Sequence, residues 1–150
     1  MTTADVNGDG LLDVISANAN GPNLTVMTNS NNSAFLIASM PALSAAPHFL
    51  TSADVNGDGK PDMIAANRDV SLVSVLTNNG SGGFVLAATY SVGSLPWCVT
   101  AADVNGDGKV DLITANSGAN TLTILTNNGS GGFAVAHLWV PLRSPLPPPI

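Results

Sequence analysis

The segment DVNGDGLLD (5–13) sets oxygen-bearing side chains at alternate positions: Asp5, Asn7 and Asp9, followed by Asp13. DVNGDGKPD (54–62) repeats the arrangement with Asp54, Asn56, Asp58 and Asp62, and DVNGDGKVD (103–111) with Asp103, Asn105, Asp107 and Asp111. A calcium loop offers side-chain oxygens at positions 1, 3 and 5, a main-chain carbonyl at position 7 and a further carboxylate beyond. Position 7 here is Leu11, Lys60 or Lys109, which suits a site where only the backbone binds. Glycine at position 6 permits a sharp turn, and glycine at position 4 keeps bulk away from an ion. Oxygen donors without His or Cys select calcium over zinc or copper, and magnesium prefers fewer protein ligands with retained water. The expectation is three calcium ions per chain. The bland alternative is a set of Asx-rich hairpin turns that hold no metal. An EF-hand needs an acid at position 12 and a helix after it. Ser16, Ala65 and Thr114 stand there instead, with β-like sequence following.

Nine of the ten acidic residues lie in these three strings, and all ten are aspartates. Charged residues make up only 9% of the chain, against about 25% in ordinary globular proteins. The formal charge of −6 is therefore local rather than diffuse, and three divalent cations would neutralise it. Four Lys and Arg in 150 residues argue against nucleic-acid binding, which needs basic neutralisation of phosphates. No apolar run reaches the ~18–20 residues of a membrane span. The first residues show neither the basic nor the apolar part of a signal peptide. A single cysteine, Cys98, excludes an internal disulfide framework.

The aspartate strings recur at intervals of 49 residues, and so do Phe35, Phe84 and Phe133 and Pro47, Pro96 and Pro145. Within one unit every signal is β. HFLTSA (48–53) leads into the Asp loop, DMIAAN (62–67) leaves it, LVSVLT (72–77) alternates, and FVLAATYS (84–91) follows the turn NNGSGG. Four short strands in each of three units predict an all-β chain of three four-stranded antiparallel β-propeller blades. Their approximate limits are 1–46, 47–95 and 96–142, with a Pro-rich tail at 143–150. A β-prism or sandwich is the alternative.

The DxNxDGxxD loop, the strand DLITAN or DMIAAN after it, and LTNNGSGGF together resemble the FG-GAP/VCBS repeat. That repeat builds β-propellers in integrin α-subunits and in secreted bacterial proteins and lectins. The likeness spans the chain from Thr3 to about Leu142. It implies that each calcium loop joins the innermost strand of a blade to the second, and that the ions stiffen one face of the disc. It further implies an extracellular or cell-surface setting, with ligands on the opposite face.

Outside the loops the candidates are few. Arg68 and Asp69 fall in a turn between the second and third strands of the middle unit; a solvated charge pair is the bland reading. His48 and Trp97 occupy equivalent positions after repeat prolines, and pack at a blade junction or form a rim that touches a ligand. Cys98 is expected to be a buried thiol in an inner strand. His137 and Trp139, in the last outer strand, are expected to be buried or to cover an edge. Only Asp69 is free of the loops, and no G-x-S-x-G string accompanies His48, so no enzyme is expected. The expected function is a binding or adhesion module for a glycan or an extracellular protein. The alternative is a purely structural, self-assembling unit or part of a larger propeller. Three blades fall short of the usual four to eight, so a homodimer closing a six-bladed ring is expected.

Overall fold

The computed structural model describes residues 1–31 and 34–139, the last four of these as backbone alone. The Pro-rich segment 143–150 and the side chains of His137 and Trp139 lie outside the described residues. Three antiparallel sheets of four strands follow one another along the chain. The first contains β1 (Thr2–Ala4), β2 (Asp13–Asn18), β3 (Asn23–Asn29) and β4 (Phe35–Ser39). The second contains β5 (Phe49–Ala53), β6 (Asp62–Asn67), β7 (Leu72–Asn78) and β8 (Phe84–Ser91). The third contains β9 (Pro96–Ala102), β10 (Asp111–Asn116), β11 (Thr121–Asn127) and β12 (Phe133–Trp139). Each sheet is a simple meander whose neighbours in sequence are neighbours in space. This is the all-β blade architecture that the repeat predicts.

The blades pack face to face, and their first strands lie closest together, β1 against β5 and β5 against β9. The first core joins Val6, Ile15 and Val26 of blade one to Met63, Leu76 and Phe84 of blade two. The second joins Val55, Ile64 and Val75 of blade two to Val99, Leu112 and Leu125 of blade three. The middle blade is covered on both sides, and all six residues of β6 are buried. That explains its unbroken apolar run, which a strand with one wet face would not tolerate. β8 lies at the outer edge and keeps the alternation of a half-exposed strand. Cys98 departs from expectation: it is only half-buried. It pairs with Ala115 on the side of the third sheet that no further blade covers, while Val99 beside it faces the second core.

A buried aspartate ties each blade together. Asp13, Asp62 and Asp111, at the start of the second strands, are fully buried. The two oxygens of Asp62 accept the Val55 N–H (3.2 Å) and the Asn78 N–H (2.9 Å). Asp13 accepts from Val6 and Asn29, and Asp111 from Val104 and Asn127. One side chain thus joins the end of the first strand to the end of the third. The asparagine that follows extends the link to the preceding blade. Asn78 Nδ2 donates to the Val6 carbonyl at 3.1 Å, and Asn127 Nδ2 to the Val55 carbonyl at 2.8 Å.

An amide left unpaired in the interior costs about 1–3 kcal/mol. Asp62→Ala orphans two, and is expected to lower unfolding stability by more than about 2 kcal/mol in chelator-treated protein. Asp69→Ala, at an exposed turn, should stay within about 0.5 kcal/mol of wild type. Urea unfolding of both variants checks the contrast.

Candidate functional site

The Asp loops connect the first strand of each blade to the second, and Ala4 pairs with Asp13 across the loop's base. Inside the loop the oxygens are held by the loop's own amides. Asp5 accepts the N–H groups of Gly8 (2.7 Å), Asp9 (3.2 Å) and Gly10 (2.8 Å). Asn7 Oδ1 accepts from Asp9 N, and Asp9 Oδ1 from Leu11 N. Asp54, Asn56 and Asp58 repeat the pattern with Gly57, Asp58, Gly59 and Lys60, as do Asp103, Asn105 and Asp107 with Gly106, Asp107, Gly108 and Lys109. Both loop glycines need positive φ, +79° at Gly8 and +85° at Gly10. A side chain at Gly8 would meet no protein atom within 4 Å. Backbone conformation rather than room therefore demands glycine at position 4.

Among the described residues no three carboxylate, imidazole or thiol groups converge as a metal cage. The donor chemistry still fits a hard divalent cation. A carboxylate has about four lone-pair sites; Asp13 uses two on backbone amides, and Asp9 accepts from Leu11 N and Asn7 Nδ2. Asp5, Asn7, Asp9, Asp13 and the Leu11 carbonyl are the oxygens that would hold it. Position 7 does more in the other two loops than lend a carbonyl. Lys60 Nζ lies 3.4 Å from Asp58 Oδ2, and Lys109 Nζ 3.6 Å from Asp107 Oδ2. The lysine stems lie against Gly80 and Gly129, where a Cβ would stand about 3.0 Å from them. Leu11 brings no such charge to the first loop.

The four remaining sequence candidates come together at the other end of the blades. Arg68 and Asp69 form a 3-10 turn, Arg68–Val70, between β6 and β7. Below it, Asn67 donates to the Ala45 carbonyl and accepts from Ser74 Oγ. His48 precedes β5, fixed by its N–H to the Ala66 carbonyl, and Trp97 is the second residue of β9. The Arg68 guanidinium carbon stands 5.5 Å from the Trp97 ring centre. Asp69 lies 3.5 Å from Arg68 Nη1 and 3.8 Å from His48 Nε2. His48, Phe49, Arg68 and Trp97 line a cleft of about 190 Å³ between blades two and three. Phe49 escaped sequence reasoning, although its place beside His48 at the strand entrance was a signal. The buried Arg68 Nε has no hydrogen-bond partner among the described residues, while the Trp97 side of the cleft is open, that residue being 62% exposed. The equivalent junction between blades one and two carries Ala19, Asn20 and His48 in place of Arg68, Asp69 and Trp97. A larger hollow of about 440 Å³, lined by Trp97, Ala115, Asn116, Leu122 and neighbours, is almost wholly apolar. It is the uncovered side of the third blade and lacks the converging polar groups of a ligand site.

A family model described as an FG-GAP-like repeat matches residues 5–65 and again 54–114, and an FG-GAP repeat model matches 96–135. Among solved structures the chain is similar to an Agrocybe aegerita lectin, described by its specific recognition of non-reducing terminal N-acetylglucosamine. Identity is 23% and the TM-score 0.59, over 92% of this chain and 37% of the lectin chain. It is also similar to part of the Photorhabdus luminescens Tc holotoxin pore, at 21% identity and a TM-score of 0.52, over 93% of this chain and 7% of that one. At these identities the likeness concerns the fold, and this chain spans little more than a third of the lectin's length. No curated protein matches it. Among the described residues no helix is long and apolar enough to cross a membrane.

The loop amides leave a pH signature. The Gly10 N–H, assisted by Gly8 and Asp9, holds Asp5 below the ordinary carboxyl value against some desolvation. Gly108 does the same for Asp103, and the Lys60 N–H and charge for Asp58. Burial raises Asp62 instead, opposed by the Asn78 and Val55 amides and reinforced by the Asp58 and Asp54 charges. A depressed folded pKa contributes stability above the unfolded value and loses it as pH falls through the folded one. The raised Asp62 works oppositely, favouring the fold more once protonated. Carboxyl-carbon NMR titration in chelator should place Asp5, Asp58 and Asp103 below the ordinary aspartate value of about 3.9 and Asp62 above it. The reverse order would contradict the loop geometry.

Proposed function

The chain belongs to the FG-GAP repeat family, and from that premise we propose a calcium-stabilised β-propeller module that binds carbohydrate in the cleft between its second and third blades. The convergence of His48, Arg68, Asp69 and Trp97 carries this reading. An exposed indole offers a flat apolar surface to the C–H face of a sugar ring. Asp69, His48 and the partly exposed Arg68 guanidinium stand where they can bond sugar oxygens. The N-acetylglucosamine recognised by the similar lectin is the first sugar to test. The proposed setting is extracellular or cell-surface, as for FG-GAP modules generally, and the proposed role is non-catalytic. An extracellular protein ligand at the same rim is the second reading, favoured by the exposure of Trp97.

In this reading the Asp loops hold one calcium each. The ion supplies charge compensation to three clustered carboxylates and a fixed conformation to the loop. The loops stand at the base of β1–β2, β5–β6 and β9–β10, whereas the cleft lies at the β6–β7 end. The metal thus acts on the scaffold and not on the ligand. Lys60 and Lys109 already pair part of the charge in two loops, so the first loop should bind calcium tightest.

Glycan-array binding, followed by calorimetry on the best hit, is expected to show affinity falling at least about tenfold, or 1.4 kcal/mol, in Trp97→Ala and in Arg68→Ala. Unchanged affinity in both would exclude the cleft. Calcium at ~100 times its dissociation constant adds roughly 2.7 kcal/mol per site, so melting should rise sharply from chelator to calcium. Calcium titration should resolve one stronger and two weaker sites, merging in a Lys60→Leu/Lys109→Leu variant. No metal by elemental analysis, with an unchanged melting point, would exclude the loops as calcium sites.

A further inference from the structure

The two outer sides of the three-blade array are the two halves of a junction that the chain already makes twice. Val6 and Val55 are each 1% exposed because the following blade covers them; their counterpart Val104 is 48% exposed. On the same side of blade three, Ile113, Ala115, Leu122 and Ile124 are half-buried, where Ile64, Ala66, Val73 and Val75 of blade two are fully buried. The opposite side shows the other half. Phe84 is 8% exposed inside the first junction, whereas Phe35, at the same repeat position, is 47% exposed. Val14 and Met27 are half-buried where Met63 and Leu76 are buried, and Leu12 and Ile37 are exposed.

The polar link shows the same complementarity. Asn78 and Asn127 each use Nδ2 twice, once within the blade and once on the valine carbonyl of the blade before. Among the described residues Nδ2 of Asn29, their counterpart, makes one 3.5 Å contact, to Leu12 O within its own blade. At the far end, no side-chain amide among the described residues reaches the Val104 carbonyl, the counterpart of the Val6 and Val55 acceptors. One end therefore carries the spare donor beside an apolar face shaped like the leading side of a blade. The other carries the spare acceptor beside a trailing side. At the loop end of the two internal junctions Asp5 and Lys60 line one hollow and Asp54 and Lys109 another; across the outer faces the counterparts are Asp103 and the uncharged Leu11.

We propose that the occupant of these faces is a second copy of the chain, docked head to tail, with Phe35 and Ile37 packing on the partner's Ile113 and Ile124 positions and Asn29 donating to the partner's Val104 carbonyl. A head-to-tail contact grows into a filament unless rotation closes it. Two chains related by a two-fold axis close after two such junctions and give six blades, within the usual four to eight. Trp97 borders both this face and the cleft, whereas Phe35, Ile37, Ile113 and Ile124 do not line the cleft.

Native mass spectrometry and light scattering of the full 150-residue chain in calcium test it. A mass of two chains is expected. Phe35→Glu and Ile113→Glu should each yield monomers, because each spoils both junctions of the ring, with circular dichroism confirming retained β structure. Asn29→Ala, a gentler change, should weaken the dimer roughly ten- to a hundredfold, the worth of two hydrogen bonds, one at each junction. Mixing Phe35→Glu with Ile113→Glu at high concentration leaves one intact junction and should give a one-to-one pair. A wild-type monomer at every concentration would overturn the proposal, as would a closed ring of three or more chains. So would a dimer indifferent to both Glu variants, or a mixture that stays monomeric where wild type pairs.

Discussion

The carboxylate of Asp62 sits fully buried at the start of β6 and accepts the Val55 amide on one oxygen and the Asn78 amide on the other. A carboxylate out of water is tolerable only when its lone pairs are met by donors, and removing one partner of such a group is costly. Here both donors are backbone, so the side chain dictates where the first and third strands of its blade end. Asn78 then carries the link to the Val6 carbonyl. Val6 N–H is itself held by Asp13. Blade is thus joined to blade by an unbroken sequence of buried polar bonds, and the apolar cores fill the space that this frame defines. The same Asp–Asn pair, repeated at 49-residue intervals, explains why the three blades superimpose so closely in hydrogen-bond pattern.

This frame divides the molecule by end. At one end the loops are nearly identical, because each must satisfy the same amides and hold the same carboxylates apart. At the other the turns differ in all three blades: Asn18 clips Asn23 and Thr25, Asn67 clips Ala45 and Ser74, and Asn116 clips Thr121 and Thr123. An asparagine, buried in blades two and three and half-buried in blade one, secures each turn from below, which leaves its exposed residues free to vary. Arg68 and Asp69 occupy the middle one. Trp97 is delivered from the next blade, after Leu95, whose positive φ of 51° is uncommon for a bulky residue. Its carbonyl is taken by Ser117 N–H and Oγ, which fixes the chain just before the tryptophan.

Much of this was legible in the residues alone. The repeat, the four strands of each unit and the Asp loops all follow from local spacing and turn chemistry, which act within a few residues. So do the positive-φ glycines, although the reason for Gly8 is conformation rather than space. Other features required knowing which sheet face meets which. Cys98 reads as buried because inner strands usually are, but the third blade has a neighbour on one side only. The lysine side chains of positions 60 and 109 return to their own loop and rest on Gly80 and Gly129, residues some twenty positions later in the chain.

What the sequence by itself determined is the blade, because a period-2 pattern, a glycine-forced turn and an Asp that meets nearby amides are short-range effects. Residue type and spacing suffice for those. The tertiary structure alone decided what lies between blades. It set Arg68 over Trp97, brought Asp69 to His48, passed the amide of Asn78 to Val6 across 72 residues of chain, and left Phe35 and Val104 uncovered while their counterparts are buried. Those outcomes depend on how one sheet face stacks and twists on the next, a long-range packing arrangement that no local window of residues encodes.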